Sequence, residues 1–183
     1  LFHDIGKSAT KEIIDNEIHF YRHEEVSAEM VEDILTRLKY PKEIIIPVKI
    51  AVANHMRTKQ FGQNAEIVSD KALRKLQADL GDHLETVLDV IHADNISHGN
   101  TADLPNQVPS IKNRLKSLNT QQPSTKIILP VTGNDVMKLT GLKPGKQIGD
   151  ILDYLKDAWL EDPNMSRHAA ENLIIKYMKD HKI

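Results

Sequence analysis

Apolar and polar positions follow a helical period along most of the chain. Between His23 and Leu38 the residues Val26, Met30, Ile34 and Leu38 recur every four positions, which predicts one helix closing before Tyr40-Pro41. The pattern continues from Pro41 to His55, with Pro47 placed to kink it. Ser69 reads as the N-cap of a helix whose apolar face is Ala72, Leu73, Leu76 and Leu80, closed by Gly81 at the C′ position. A further helix is predicted from Leu84 to Ser97. Later come a short helix at Asn134 to Leu139, the turn TGLKPGK, a helix from Lys146 to Leu160, and a last one from Ser166, with Trp159 and Tyr177 at core positions. The one strand-like piece is KEIIDNEIHFY, Lys11 to Tyr21, whose Asp15-Asn16 pair suits the turn of a short hairpin. NTQQPSTK, Asn119 to Lys126, loses the period, holds Pro123 and reads as a linker. The expectation is an all-α fold with one small β-hairpin, divided into residues 1–119 and a smaller helical part, 120–183.

Composition narrows the chemistry. The 183 residues are 40% apolar and 27% charged, enough for a sizeable core. Without cysteine there is no disulfide framework and no thiolate metal site, so any metal must be held by imidazole and carboxylate, and a reducing cytoplasm is the expected location. The longest apolar runs, such as Ile44 to Ile46, fall far short of the roughly 20 residues that span a bilayer, so no membrane segment is expected. The net charge of −2 is unevenly spread: 12 Lys/Arg against 17 Asp/Glu over residues 1–99, but 12 against 9 over residues 100–183. The second part is the one suited to a polyanion.

The chain opens LFHDIGK. Neighbouring helical residues point about 100° apart, so His3 and Asp4 cannot chelate as an i, i+4 pair does, but both can reach one ion lying over a helix end. An isolated His-Asp dipeptide more often marks a solvated aspartate beside a packed histidine. Here it is followed by RHEE around His23, ANHMR around His55 and HADNISHG around Asp94. This string resembles the HD phosphohydrolase superfamily. HDIGK, a short ribbon, FYRHEEVSAEM, NHMR, an ADNISHG helix and a late TGNDVM...GLKPGKQIG look most like the carboxy-terminal half of bacterial tRNA nucleotidyltransferases and poly(A) polymerases.

The resemblance implies an HD-domain helical bundle followed by an RNA-binding helical part. It makes His3 and Asp4 the HD pair and Asp94 the distant carboxylate, with His23 and His55 as further metal ligands. The ion would be a divalent metal (Mn, Ni, Zn, Fe or Mg) that polarises a phosphoryl oxygen and activates water. Asp4 then has a catalytic role, and Lys7 and Arg57 are placed to meet a substrate phosphate. His98 is a supporting position behind Asp94, whereas His19, His83 and His168 read as structural or exposed. The family's first histidine lies upstream of the pair, so weakened metal binding is expected of this chain alone. The nucleotidyltransferase head has no counterpart in these residues, and no polymerisation is expected without it. A start at Leu1 is expected of a gene fragment or excised domain.

In the second part, Gly141, Pro144 and Gly145 break the chain before a helix whose first amides, with Lys143 and Lys146, can take a backbone phosphate. Aromatics are too few for a stacking platform, so RNA, chiefly tRNA, would be recognised by shape through Lys143, Gly145 and Lys146. Two alternatives stand beside this: a separate HD phosphohydrolase acting on nucleotides or cyclic phosphodiesters, and an inactive HD module that positions RNA.

Overall fold

A computed structural model describes residues 2–63, 65, 68–97, 104–121 and 127–182. The fold is all-α apart from one two-stranded sheet. It divides into two compact units, Leu1–Val68 with Leu80–Arg114, and Ser69–Asp79 with Leu115–Ile183.

The first unit opens with a 3-10 turn, Ile5–Ser8, and a hairpin of β1 (Glu12–Ile14) and β2 (Glu17–His19), paired Glu12 to His19, Ile13 to Ile18 and Ile14 to Glu17. Asp15 and Asn16 both adopt left-handed backbone, with φ of 51° and 64°. That is the two-residue turn whose twist matches a hairpin, formed by the pair the sequence points to. Along the chain then follow α1 (His23–Arg37), α2 (Lys42–Asn54), α3 (Asp70–Leu80), which lies almost wholly in the second unit, α4 (Leu84–Asn95), and α5 (Gln107–Gln121), which crosses the division at Arg114. α2 continues through Pro47. Ser69 caps α3, its Oγ accepting from the Ala72 amide at 3.2 Å.

The core of α1 and α2 gathers Ala28, Val31, Leu35, Ile45 and Val52, with Phe2, Ile5, Val48 and Ala53 against it. Each large aliphatic chain buried this way contributes about 1.5–3 kcal/mol. The inward face of α1 is not the predicted stripe. His23, Ser27, Ala28, Val31 and Leu35 are buried, while Val26, Met30 and Ile34 are only half-buried and Leu38 is 57% exposed. The reason is polar: His23 and Ser27 turn inward because each finds a hydrogen-bond partner there, and a hydropathy pattern counts such residues as outward.

Ser27 receives the Gly6 amide on its Oγ at 2.8 Å. A Cβ on Gly6 would stand 2.6 Å from the His23 carbonyl oxygen and 2.7 Å from the Ser27 nitrogen. Only a residue without a side chain lets the turn lie this close to α1. α5 was not foreseen, and it carries the chain helically through Gln121, into the stretch expected to be linker. Its buried Val108, Ile111 and Leu115 keep helical spacing. Residues 122–126 lie outside the described residues.

The second unit contains α6 (Gly133–Thr140), α7 (Lys146–Glu161) and α8 (Arg167–His181) around Val136, Ile151, Leu155, Trp159 and Ile174, with Tyr177 packed on that cluster. Thr132 and Asp135 form a reciprocal capping box at the start of α6. Hydrogen bonds from the Thr132 hydroxyl and amide, and then from Arg167 of α8, hold the Asp135 carboxyl far below the usual carboxylate range. Gly141, with φ of 75°, ends α6 in the left-handed region that glycine tolerates. No described helix is long and apolar enough to cross a membrane.

Gly6→Ala is expected to lower stability by about 1–3 kcal/mol, the usual cost of forcing a methyl into a filled contact, read as a lower urea midpoint with unchanged slope. An unchanged midpoint would show that the turn can back away from α1 without loss.

Candidate metal centre

Four segments distant in sequence deliver the site. His3 and Asp4 stand before the 3-10 turn, Asp4 being its N-cap residue. His23 is the first residue of α1, entered through Arg22 in a left-handed conformation (φ 57°). His55 directly follows α2, and Asp94 lies in the last turn of α4. His23, His55 and Asp94 are buried.

The side chains converge. The Asp4 Oδ1 lies 3.2 Å from His23 Nε2 and 3.7 Å from His55 Nε2. His3 Nε2 stands 3.3 Å from Asp4 Oδ2 and 3.1 Å from Asp94 Oδ1. His3, Asp4 and His55 each offer a ligand atom within 4.8 Å of the others. The structure thus brings together all five residues expected to hold metal: His3, Asp4, His23, His55 and Asp94.

Tautomers follow from the backbone. His23 Nδ1 is 2.9 Å from the Phe20 carbonyl oxygen and His55 Nδ1 is 2.7 Å from that of Val52. A carbonyl only accepts, so both Nδ1 atoms carry the hydrogen and donate. Each ring then turns its Nε2 toward the cluster, where the two Nε2 atoms face each other at 3.3 Å with the Asp4 carboxylate beside them. Two imidazole nitrogens and a carboxylate oxygen at these distances are held by a positive charge among them, either a proton or a metal ion. This donor set fits a divalent ion of intermediate softness, and the carbonyl bonds are the supports that aim metal-binding imidazoles.

Burial pushes the Asp4 carboxyl up, but the hydrogen bond from Lys7 and the fields of His3, Lys7 and His55 outweigh it and hold it below its usual value. For His55, burial pushes the imidazole below its ordinary 6.5, overcoming the bond to Val52, which acts the other way. Both shifts favour the forms that bind a cation.

A cavity of about 290 Å³ opens on this cluster, lined by Asp4, Lys7, His23, His55, Lys59 and Asp94 together with Met56 and the hairpin residues Ile18, His19, Phe20 and Tyr21. Lys7 reaches Asp4 Oδ2 at 2.7 Å. Arg57 is half-buried and is not among the lining residues. Lys59 lines the cavity, with its Nζ 3.5 Å from Asp94 Oδ2. Its spacing of four from His55 was the only sequence signal for it. His19 also lines the cavity, stacked on Tyr21 at 5.1 Å. His83 and His168 are not among the lining residues, and His98 lies outside the described residues. Lys143, Gly145 and Lys146 belong to the other unit, exposed at the start of α7, where Gly145 is the N-cap and supplies no side-chain bond.

A helical bundle whose ends deliver a His-Asp pair, two carbonyl-oriented imidazoles and a remote aspartate to one cavity defines a class of metal-site helical domains. The chain belongs to the HD domain family, whose sequence model matches residues 1–98. It is also similar to the CC-adding tRNA nucleotidyltransferase of Thermus thermophilus, 29% identical over 164 residues, 88% of this chain and 35% of that protein. The chain therefore spans about a third of that relative's length. No solved structure matches it.

His55 also sets a pH dependence. Its folded-state pKa lies below the unfolded 6.5, so between those two values the unfolded chain binds more protons than the folded one. Without added metal, stability is expected to fall as pH drops below 6.5 and to recover above it. His55→Asn, whose amide can keep the bond to Val52, should remove that part of the slope. Urea midpoints measured across the window would check this, and identical slopes for both proteins would contradict it.

Proposed function

We propose that this chain is the carboxy-terminal HD and RNA-binding portion of a tRNA nucleotidyltransferase or poly(A) polymerase-like protein, working in the cytoplasm, and that its HD centre is a metal-dependent phosphohydrolase site. One observation carries the first half: the similarity to the Thermus thermophilus enzyme covers 164 residues, well beyond the 98 matched by the HD family. The residues after the HD match are part of that likeness, which favours this reading over a separate HD hydrolase. The RNA-contacting part would be residues 120–183.

The facing Nε2 atoms of His23 and His55 and the Asp4 carboxylate support the second half. His3, Asp4, His23, His55 and Asp94 would hold the metal. The chemistry such an ion supplies is polarisation of a phosphoryl oxygen and a lowered pKa for water. The chain's own residues do the rest. Val52 and Phe20 carbonyls fix the imidazoles, Asp4 remains ionised, Lys7 meets the phosphate as a point charge, and the cavity admits a nucleotide or phosphodiester.

Calorimetric titration of Mn, Ni and Zn into the chain tests the centre. Asp4→Ala should weaken binding by roughly tenfold or more and remove hydrolysis of phosphodiester substrates. Equal binding by both proteins would place the metal elsewhere.

In the second unit, Lys143 and Lys146 stand exposed beside the α7 N-terminus, which has a positive dipole and no side-chain cap. Replacing both by alanine is expected to weaken tRNA binding and lower the slope of log affinity against log salt by about two, one for each lost phosphate contact. An unchanged slope and affinity would remove this turn from the RNA interface.

A further inference from the structure

Lys7 and Lys59 stand against the two carboxylates of the centre in parallel fashion. Lys7 Nζ lies 2.7 Å from Asp4 Oδ2, and Lys59 Nζ lies 3.5 Å from Asp94 Oδ2. Asp94 is nearly buried, with its side chain 6% exposed, whereas that of Lys59 is 45% exposed and that of Lys7 39%. Both lysines line the cavity. The backbone of Lys59 is well held. Its amide donates to the Met56 carbonyl at 3.1 Å, and the hydroxyl of the preceding Thr58 bonds to the buried Gln107 at 2.9 Å. Its position is thus fixed while its long side chain can swing.

We infer that Lys59 is a displaceable counterion of Asp94 that becomes an anchor for a phosphoryl oxygen once a divalent ion takes the carboxylate, with Lys7 paired to Asp4 in the same way. This rests on the metal-centre reading above. The argument is charge balance. The two aspartates and the two lysines paired to them sum to zero. Adding a dication leaves a partly buried site with an excess of two positive charges, and ammonium groups within a few ångströms of the ion are repelled from the shared carboxylates. They stay inside the cavity, because their backbones are fixed to its wall. A phosphate dianion restores the balance.

Metal and phosphate are therefore coupled, each raising the affinity for the other. Removing the charge of Lys59 has opposite consequences for the two ligands: the dication loses a competitor for Asp94, while the phosphate loses a partner. A lysine that merely supports the fold would weaken both or neither.

The test uses the intact chain, Lys59→Met and Lys59→Arg, titrated calorimetrically with Mn in phosphate-free buffer and then with inorganic phosphate at saturating Mn. Lys59→Met should bind Mn roughly fivefold tighter and phosphate roughly fivefold or more weaker, the lower end of ordinary coupling between sites. Lys59→Arg should match the parent on both counts. Should the methionine variant lose its helical circular dichroism, Lys59→Gln makes the same removal of charge with a polar side chain. If metal binding by the parent depends on Asp4 but the neutral variant binds Mn no tighter, or phosphate no less tightly, the role of Lys59 is overturned and the metal centre stands. If the parent binds no Mn at all, the metal-centre reading fails and this inference with it.

Discussion

The close approach between Gly6 and the start of α1 is the constraint on which the site depends. The Gly6 amide donates to Ser27 Oγ, and the space a side chain would need is already filled by the His23 carbonyl and the Ser27 backbone. Because His23 begins α1, and Asp4 lies two residues before Gly6, one contact sets the distance between two proposed ligands. Packing of Phe2 and Ile5 against the α1–α2 core holds the segment from the other side. A site assembled from four chain segments needs such fixed points, since a displacement of an ångström is enough to lose a ligand's geometry.

Electrostatics completes what packing begins. Two imidazoles whose Nδ1 atoms bond backbone carbonyls turn their Nε2 atoms toward each other and toward a carboxylate. Lysines from the turn and from the segment after α2 stand against the aspartates. The cluster is held together by opposite charges and has the donor set of a candidate metal centre.

The second unit is organised by helix ends. Thr132 and Asp135 close the start of α6, Arg167 ties that cap to α8, and Gly141 stops α6 with a left-handed residue before the lysine-bearing turn. These bonds fix the direction in which the exposed α7 N-terminus points, while the buried Ile151 and Leu155 seat α7 on its neighbours.

The sequence by itself determined most of the elements, because their signals are local. Asp15-Asn16 needed only backbone preference to make the turn, Ser69 and Ser166 only the unmet amides of a helix start, and the period of the apolar residues revealed α3, α7 and α8. The motif spelling pointed to His3, Asp4, His23, His55 and Asp94. Hydropathy failed at the inward face of α1, where buried His23 and Ser27 are satisfied by partners from other segments. It also passed over α5, whose buried Val108, Ile111 and Leu115 keep helical spacing but whose first turn holds Pro109. Only the tertiary structure decided that Lys59 rather than Arg57 lines the cavity, and which nitrogen of each imidazole faces the ligands. Those outcomes depend on distances between residues far apart in the chain, and a one-dimensional pattern does not encode them.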